Sequence, residues 1–429
     1  MTVTPYQLVG QCDSTYPCPM QKILPASGAF QVKGNGDASR YATQLLRDLG
    51  ALVSSGETRL HTSAAQRWSD SGLAELTGFF DQPPADCPIP LASYGDGVLH
   101  AFETLLGKKL PTSMQGGDLM AQRATVCGLH RRGEVSPGGS CKILPTADGH
   151  LAVNLARDSD WRLLDAWLQA ETAPTWSAVE AQVVRLPTAQ LVERGRLLGL
   201  AITSTRIEPC LDRSWFEVTQ QTATATRQRG LPRVVDLSSL WAGPLCSRLL
   251  QWAGAEVIKV ESRQRPDGAR HGSPEFFSHL NSGKQQLQLD LHKPGGVKTL
   301  EELIRSADIV IEGSRPRALR QMGIQAESLL VEVPGLTWVS ISGYGRSEPQ
   351  ANWIAYGDDA GVAGGLSALL HQTTGRWMFC GDAIADPLTG MHAALAALAS
   401  WQGGGGHLLA FSLVQTVQHC VAFSQNPLH

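Results

Sequence analysis

No apolar run of 18 residues occurs in this 429-residue chain, so no membrane-spanning helix is expected. The start, Met-Thr-Val-Thr-Pro-Tyr-Gln, lacks a basic region followed by an apolar stretch, and the expectation is a cytoplasmic protein. There is no run of five like charges, and the formal net charge is −3, so neither nucleic acid nor a membrane surface is expected as a partner. The nine cysteines are odd in number and scattered, with no C-x-x-C pair, which argues against structural zinc and a disulfide framework. Neither H-E-x-x-H nor G-x-S-x-G is present. His392 and His407 therefore read as surface or lining residues rather than metal ligands.

What is present is a composition of ordinary globular type, 42% hydrophobic and 17% charged, long enough for two or three domains. The most telling stretch runs from Gly381 to Trp401. Asp386 directly precedes Pro387, and Leu388, Met391, Leu395 and Leu398 follow at spacings of three and four, which predicts a helix with Asp386 as N-cap. Free backbone N–H groups and the positive helix end would hold such a carboxylate ionised, as a weak oxygen nucleophile requires. The plain alternative is ordinary capping.

Residues 1 to about 35 read as irregular. A helix is expected over 39–53, ended by Gly50, and another from Gly95 to Leu106. From Ser136 a small, mostly helical module is expected, with a strand at Leu151–Asn154 and helices near 159–169, 177–184 and 188–198; Thr219–Arg229 reads as a linker. After Pro232, strands at 234–237, 256–260, 286–291, 307–311 and 336–341 alternate with helices at 243–253, 295–306 and 315–322. Such alternation predicts an α/β fold with a doubly wound, Rossmann-like parallel sheet, with ligands at the carboxyl ends of its strands. The loops to watch are 238–244, 262–272, 312–317 and 342–348. They carry neither a dinucleotide fingerprint nor a P-loop. Arg263, Arg265, Arg270 and Lys284 read equally as a phosphate clamp or a solvated basic loop.

Five motifs stand in order: Arg233-Val-Val-Asp-Leu-Ser-Ser-Leu-Trp-Ala-Gly-Pro244, Leu249 to Glu261, Leu287-Gln-Leu-Asp-Leu291, Ala307-Asp-Ile-Val-Ile-Glu312 and Ala385-Asp-Pro-Leu-Thr-Gly390. Over residues 230 to 415 this resembles class III CoA-transferases, the formyl-CoA transferase (CaiB/BaiF-like) family. The resemblance implies that Asp386 is the nucleophile and that Leu240, Trp241 and Ala242 contact CoA. It also implies that the substrates are an acyl-CoA and a carboxylic acid, with no tightly bound cofactor. Arg263 and Arg265 are candidates for the CoA phosphates. Gly361-Val-Ala-Gly-Gly365, with Gly364 and Gly365, is a candidate for closing over the site and offering N–H donors. Trp252 reads as a core aromatic.

The chain departs from the family at Ser262, Gly313 and Ser342, where polar anchors for a small dianion would stand, so a larger, less polar acid is expected. Where the racemases of the family place a His, this chain has Gly357-Asp358-Asp359; an acid–base pair of Asp358 and Asp386 is the alternative reading, and a non-catalytic CoA-binding protein a third.

Leu45-Leu46-x-x-x-Gly50-Ala51-x-Val53 repeats the spacing of Leu249-Leu250-x-x-x-Gly254-Ala255-x-Val257, and Ala92 to Gly97 repeats Ala385 to Gly390 with Ser93 at the position of Asp386. The interval from Gly50 to Gly97 is 47 residues and that from Gly254 to Gly390 is 136, so a degenerate copy lacking about 89 residues is expected. The expected domains are a truncated copy at 1–135, a small domain and linker at 136–229, and the catalytic copy at 230–429. The assembly would be a monomeric pseudodimer or a homodimer.

Overall fold

The computed structural model describes residues 23–24, 28–56, 62–206, 214–225, 230–315 and 317–425. Its strands are β1 (Ala29–Lys33), β2 (Leu52–Gly56), β3 (Cys141–Pro145), β4 (His150–Asn154), β5 (Ala201–Ser204), β6 (Glu217–Gln221), β7 (Arg233–Asp236), β8 (Glu256–Ser262), β9 (Gln285–Leu289), β10 (Ile309–Glu312), β11 (Thr337–Ser342) and β12 (His407–Ser412). A seven-stranded sheet runs in the order β6-β12-β11-β10-β7-β8-β9. All of its pairs are parallel except β12 with β6. The chain leaves β7 outward through β8 and β9 and then returns to β10 on the other side of β7. A crevice at the carboxyl ends of β7 and β10 follows from that reversal.

Successive residues of these strands feed different cores, as the two-residue period demands. Val234, Ile309, Ile311, Val339 and Ile341 pack with the helices Ala242–Ala253, Ala385–Gln402 and Leu413–Gln425. Val235, Val310 and Trp338 pack with Leu300 and Ile304 of the helix Pro294–Arg305 and with Leu329 and Leu330 of the helix Ala326–Glu332. From 385 to 400 every residue of the Ala385–Gln402 helix is buried except Asp386. A helix that is apolar all round belongs in a core, and here it is sandwiched between sheet and neighbouring helices.

The N-terminal part contributes a two-stranded parallel sheet, β1-β2, and the helices Asp37–Asp48, Leu91–Leu106 and Gly116–Cys127. The register Ala29↔Leu52 there matches Arg233↔Glu256 in β7-β8, each residue standing 204 positions earlier in the chain. Two glycines make equivalent helix crossings. A Cβ on Gly97 would lie 2.6 Å from Ala38 O and 3.0 Å from Tyr41 Cβ; one on Gly390 would lie 2.5 Å from Ala242 O and 3.2 Å from Leu245 Cβ. Tyr41, fully buried, joins this part to the core helix, with its hydroxyl 2.8 Å from His392 Nε2. His392 Nδ1 is 2.7 Å from Leu388 O, so Nδ1 carries the proton and Nε2 accepts from Tyr41. Burial pushes His392 down to about 3 and keeps the ring neutral.

Several expectations are corrected. Residues up to 35 include β1, and the second helix begins at Leu91 rather than Gly95. The expected linker overlaps β6, whose edge position lets the polar Glu-Val-Thr-Gln-Gln stretch pair on one side only; residues 226–229 lie outside the described ones. The middle module is mixed rather than mostly helical, with an antiparallel sheet β3-β4-β5 packed on short helices around Trp167. Its short strands carry too few residues to show a period. His392 and His407 are core residues, since a buried imidazole with hydrogen-bond partners needs no water. Six cysteines are free among the described residues, while Cys12, Cys18 and Cys210 lie outside them.

Gly390→Ala should destabilise the fold by about 1–3 kcal/mol, because backbone lies where the methyl must go. Gly295→Ala, with nothing within 4 Å, should be neutral or stabilising by up to about 1 kcal/mol. Urea unfolding midpoints of both variants check the pair.

Candidate active site

The crevice is built on two buried lysines. Lys284 Nζ lies 3.3 Å from Asp236 Oδ2 at the end of β7 and donates to Pro244 O at 2.9 Å. Lys259 Nζ donates to Ser238 O at 2.9 Å and pairs with Asp267 at 3.0 Å. Both lysines are buried, so each is tied into the fold by charge and several acceptors at once. Burial brings Lys284 down to about 8, against the pull of Asp236. These anchors fix the turn from Ser238 to Trp241. Leu240 there is left-handed, with φ +69°, is 40% exposed, and donates its N–H to Asp267 Oδ1 at 2.9 Å. A non-glycine residue in that region is strained and is kept there by its surroundings.

Trp241 is 2% exposed, with its ring edge-on to Phe276 at 5.1 Å. Ala242 opens the following helix, and its backbone N–H favours the ionised form of the Asp386 carboxyl. Gly357 N–H, at the start of the helix Gly357–Ala363, acts on the same carboxyl in the same sense. A Cβ on Gly357 would overlap Asp386 Oδ2, so only glycine lets that backbone come so close. Three helix starts thus converge on Asp386, its own included.

Two expectations about Asp386 are corrected. It is not the N-cap: the helix begins at Ala385, and Ile384 holds the capping position in helical conformation. Nor is the carboxyl held ionised, because burial raises it from 3.8 to about 7 despite Arg123 and the two N–H donors, and Asp358 adds to the rise. Desolvation outweighs the helix dipoles here. Asp358, raised to about 6 by burial and by Asp382, accepts from Ala383 N–H at 2.7 Å. Asp359, raised to about 7 by burial, accepts from Asn154 at 3.1 Å and from Tyr356 N–H at 3.0 Å.

Sequence reading missed Arg123. It comes from the helix Gly116–Cys127 in the N-terminal part, and its Nε donates to Asp382 Oδ2 at 2.7 Å while its second nitrogen pairs with Oδ1. No sequence pattern ties residue 123 to 382, which is 259 positions away. Reading also passed over Arg315 and Arg317. Burial lowers the Arg315 guanidinium, as do its neighbours Arg317, Arg157 and Arg265, so four guanidiniums from three segments gather beyond β8 and β10. Arg263 and Arg265 are both exposed on the loop after β8. Arg270 is instead paired with Glu261 at 2.6 Å, and Lys284 is internal, so neither belongs to a clamp or a solvated loop.

Gly364 and Gly365 are buried at a helix junction rather than in a closing loop, since the chain over Gly357–Ala363 is itself helical. A Cβ on Gly364 would overlap Val417 of the final helix. Trp252 is half-buried against the core, with Arg248 5.0 Å above its ring. A cavity of about 650 Å³ lies elsewhere, lined by Phe79, Phe80, His130, Arg132, Val135 and Pro137 among others, and by none of the sequence-predicted residues. No cluster of metal-ligating side chains occurs among the described residues, and no helix there is long and apolar enough to cross a membrane.

Residues 232–426 match the model of CoA-transferase family III. Formyl-CoA:oxalate CoA-transferases of Escherichia coli O6:H1 and Shigella boydii serotype 18 are each 34% identical over 179 residues. That alignment covers 39% of this chain, and the chain spans 42% of the length of the curated relatives it matches. Among solved structures, a CAIB/BAIF family protein from Brucella suis is 26% identical with a TM-score of 0.38, covering 44% of this chain and 54% of that one. A hypothetical protein from Mycobacterium tuberculosis is 23% identical with a TM-score of 0.42, covering 47% and 58%.

Asp386→Asn isolates the titration of this carboxyl. Between about pH 4 and 7 the folded wild type retains a proton that the unfolded chain has lost, so rising pH lowers wild-type stability relative to the variant. The advantage of the variant should grow across that window and level off above it, as read by denaturant unfolding at a series of pH values.

Proposed function

We propose that this chain moves CoA between an acyl-CoA and a carboxylic acid, with Asp386 as the nucleophile. The observation that carries the proposal is that Asp386 is the one residue over 385–400 of an otherwise buried helix that keeps partial exposure, at the meeting of three helix starts. One Asp386 oxygen attacks the thioester carbonyl carbon, the C–S bond breaks, and CoA leaves as thiolate. The thiolate attacks the aspartyl carbonyl of the mixed anhydride, releasing the first carboxylate and leaving an aspartyl-CoA thioester. The incoming carboxylate reverses both steps: it displaces the thiolate to form a new anhydride, and the thiolate then takes the new acyl group and frees Asp386. The N–H groups of Ala242 and Gly357 supply donors where negative charge develops. Ionised Asp386 is the reactive form, so activity rises with pH through about 7.

Arg263, Arg265, Arg315 and Arg317 are read as counterions for the phosphates of CoA, with Leu240 as the exposed apolar neighbour. We read the sheet as doubly wound and the chain as an internal duplication. The identical register of β1-β2 and β7-β8 and the paired glycine crossings support this. On that reading residues 1–135 are the degenerate copy and 136–229 the small domain. A single chain then completes its site as a pseudodimer, and a homodimer is the alternative. The second functional reading is α-proton exchange on an acyl-CoA by the pair Asp358 and Asp386, favoured by the upward push of Asp358 on Asp386.

Isotope exchange distinguishes these. A transferase should move labelled carboxylic acid into its own acyl-CoA without a second acceptor, and Asp386→Asn should abolish that exchange. Solvent deuterium appearing at the α-carbon, with no carboxylate exchange, would instead select the acid–base pair. Arg265→Gln and Arg315→Gln should raise KM for the acyl-CoA about tenfold or more, with kcat little changed, because they act on binding in ground and transition states alike.

A further inference from the structure

We infer that Arg123, supplied by the N-terminal part, is the positioning residue for Asp386: it clamps the 380–386 turn through Asp382 and provides the positive charge facing the buried carboxyls. This rests on the reading of Asp386 as the reacting group. The geometry is specific. Asp382 is fully buried and takes both arms of the guanidinium, a planar bidentate match that a flexible ammonium cannot reproduce. The Arg123 guanidinium carbon stands 5.7 Å from the centre of the Trp241 ring, on the turn that leads into the Ala242 helix. A Cβ on Gly138 would come within 3.2 Å of the same guanidinium, so the hairpin of the middle module closes down on it. One side chain therefore touches the N-terminal part, the middle module and both loops that frame Asp386.

The turn needs such a clamp. Ala383 is left-handed, with φ +42°, a conformation that is strained for an alanine. Its N–H is held by Asp358, its carbonyl accepts from Asp386 N–H at 2.9 Å, and Asp382 next to it is held by Arg123. The charged and titratable groups facing this region are Arg123 on its helix, Asp382 on the turn, Asp358 and Asp359 on the helix Gly357–Ala363, Asp386 itself, and the Cys141 thiol on β3. Arg123 draws on Asp382, Asp358 and Asp386 together. Without it, three neighbouring carboxyls lose their shared counter-charge, and the reacting group keeps its proton to higher pH.

The test uses the full chain with 13C-labelled aspartate, without any CoA ester, and reads the Asp386 carboxyl titration by NMR, assigned through Asp386→Asn. In Arg123→Gln the midpoint should move up by roughly one unit. Arg123→Lys should stay near wild type, since it keeps the charge while losing the fork. The double variant Arg123→Gln/Asp382→Asn removes the carboxylate of the clamp together with its guanidinium, so it keeps the test open if the single variant does not fold, and it should show an upward move as well. An unchanged midpoint in either folded glutamine variant would overturn the inference, whatever its effect on melting temperature. Carboxylate exchange on the same proteins separates the two proposals: a shifted midpoint with no exchange by wild type removes the transferase reading alone. Exchange that persists with an unshifted midpoint removes the role of Arg123 alone.

Discussion

A carboxylate on a buried helix start has to be compensated, and this requirement orders the structure around Asp386. Water is excluded from most of its surroundings, so the fold supplies backbone N–H groups from two neighbouring helix starts and a guanidinium from the far end of the chain. Desolvation still prevails, leaving the carboxyl near the boundary between its two protonation states at neutral pH. That balance suits a group that must be anionic to attack and must give up its charge when it forms an ester-like bond.

Close approach is the second condition, and it is met by missing side chains. Gly357 admits a backbone N–H to Asp386, and Gly390 lets the core helix lie against the backbone at Ala242, which brings the other N–H into reach. Six of the 18 residues of the core helix are alanines, and at those positions its neighbours pack against methyl groups rather than long side chains. Beneath the turn after β7, Lys284 and Lys259 perform the complementary task, holding Ser238 to Trp241 in place through ion pairs that solvent does not screen. Farther out, the guanidiniums after β8 and β10 repel one another, an arrangement that favours a polyanion between them.

Much of this was legible in the sequence. The strands after Pro232 carry β-branched runs between helical periods, and the Asp-Pro pair before a 3,4-spaced apolar series marks the helix of Asp386 within two residues. What reading could not give is contact across sequence distance. The N-cap assignment failed because the helix extends two residues further back, making Asp386 an early helical residue with its side chain toward its neighbours' N–H groups. Its ionisation was misjudged because helix dipoles are visible in a sequence while desolvation depends on what packs around the group. The glycines at 364 and 365 look like a loop in sequence, yet Val417 from the final helix fills the space above the first of them. Arg123 had no local signal at all, and the short strands of the middle module were too brief for their period to register.

The account stands or falls on whether Asp386 becomes covalently acylated. Intact-protein and peptide mass spectrometry after mixing with a panel of acyl-CoAs, with hydroxylamine trapping, measures this directly. The account predicts a mass change confined to the peptide carrying Asp386 and absent from Asp386→Asn. CoA esters that bind the folded protein while leaving that peptide unmodified throughout the panel would contradict it.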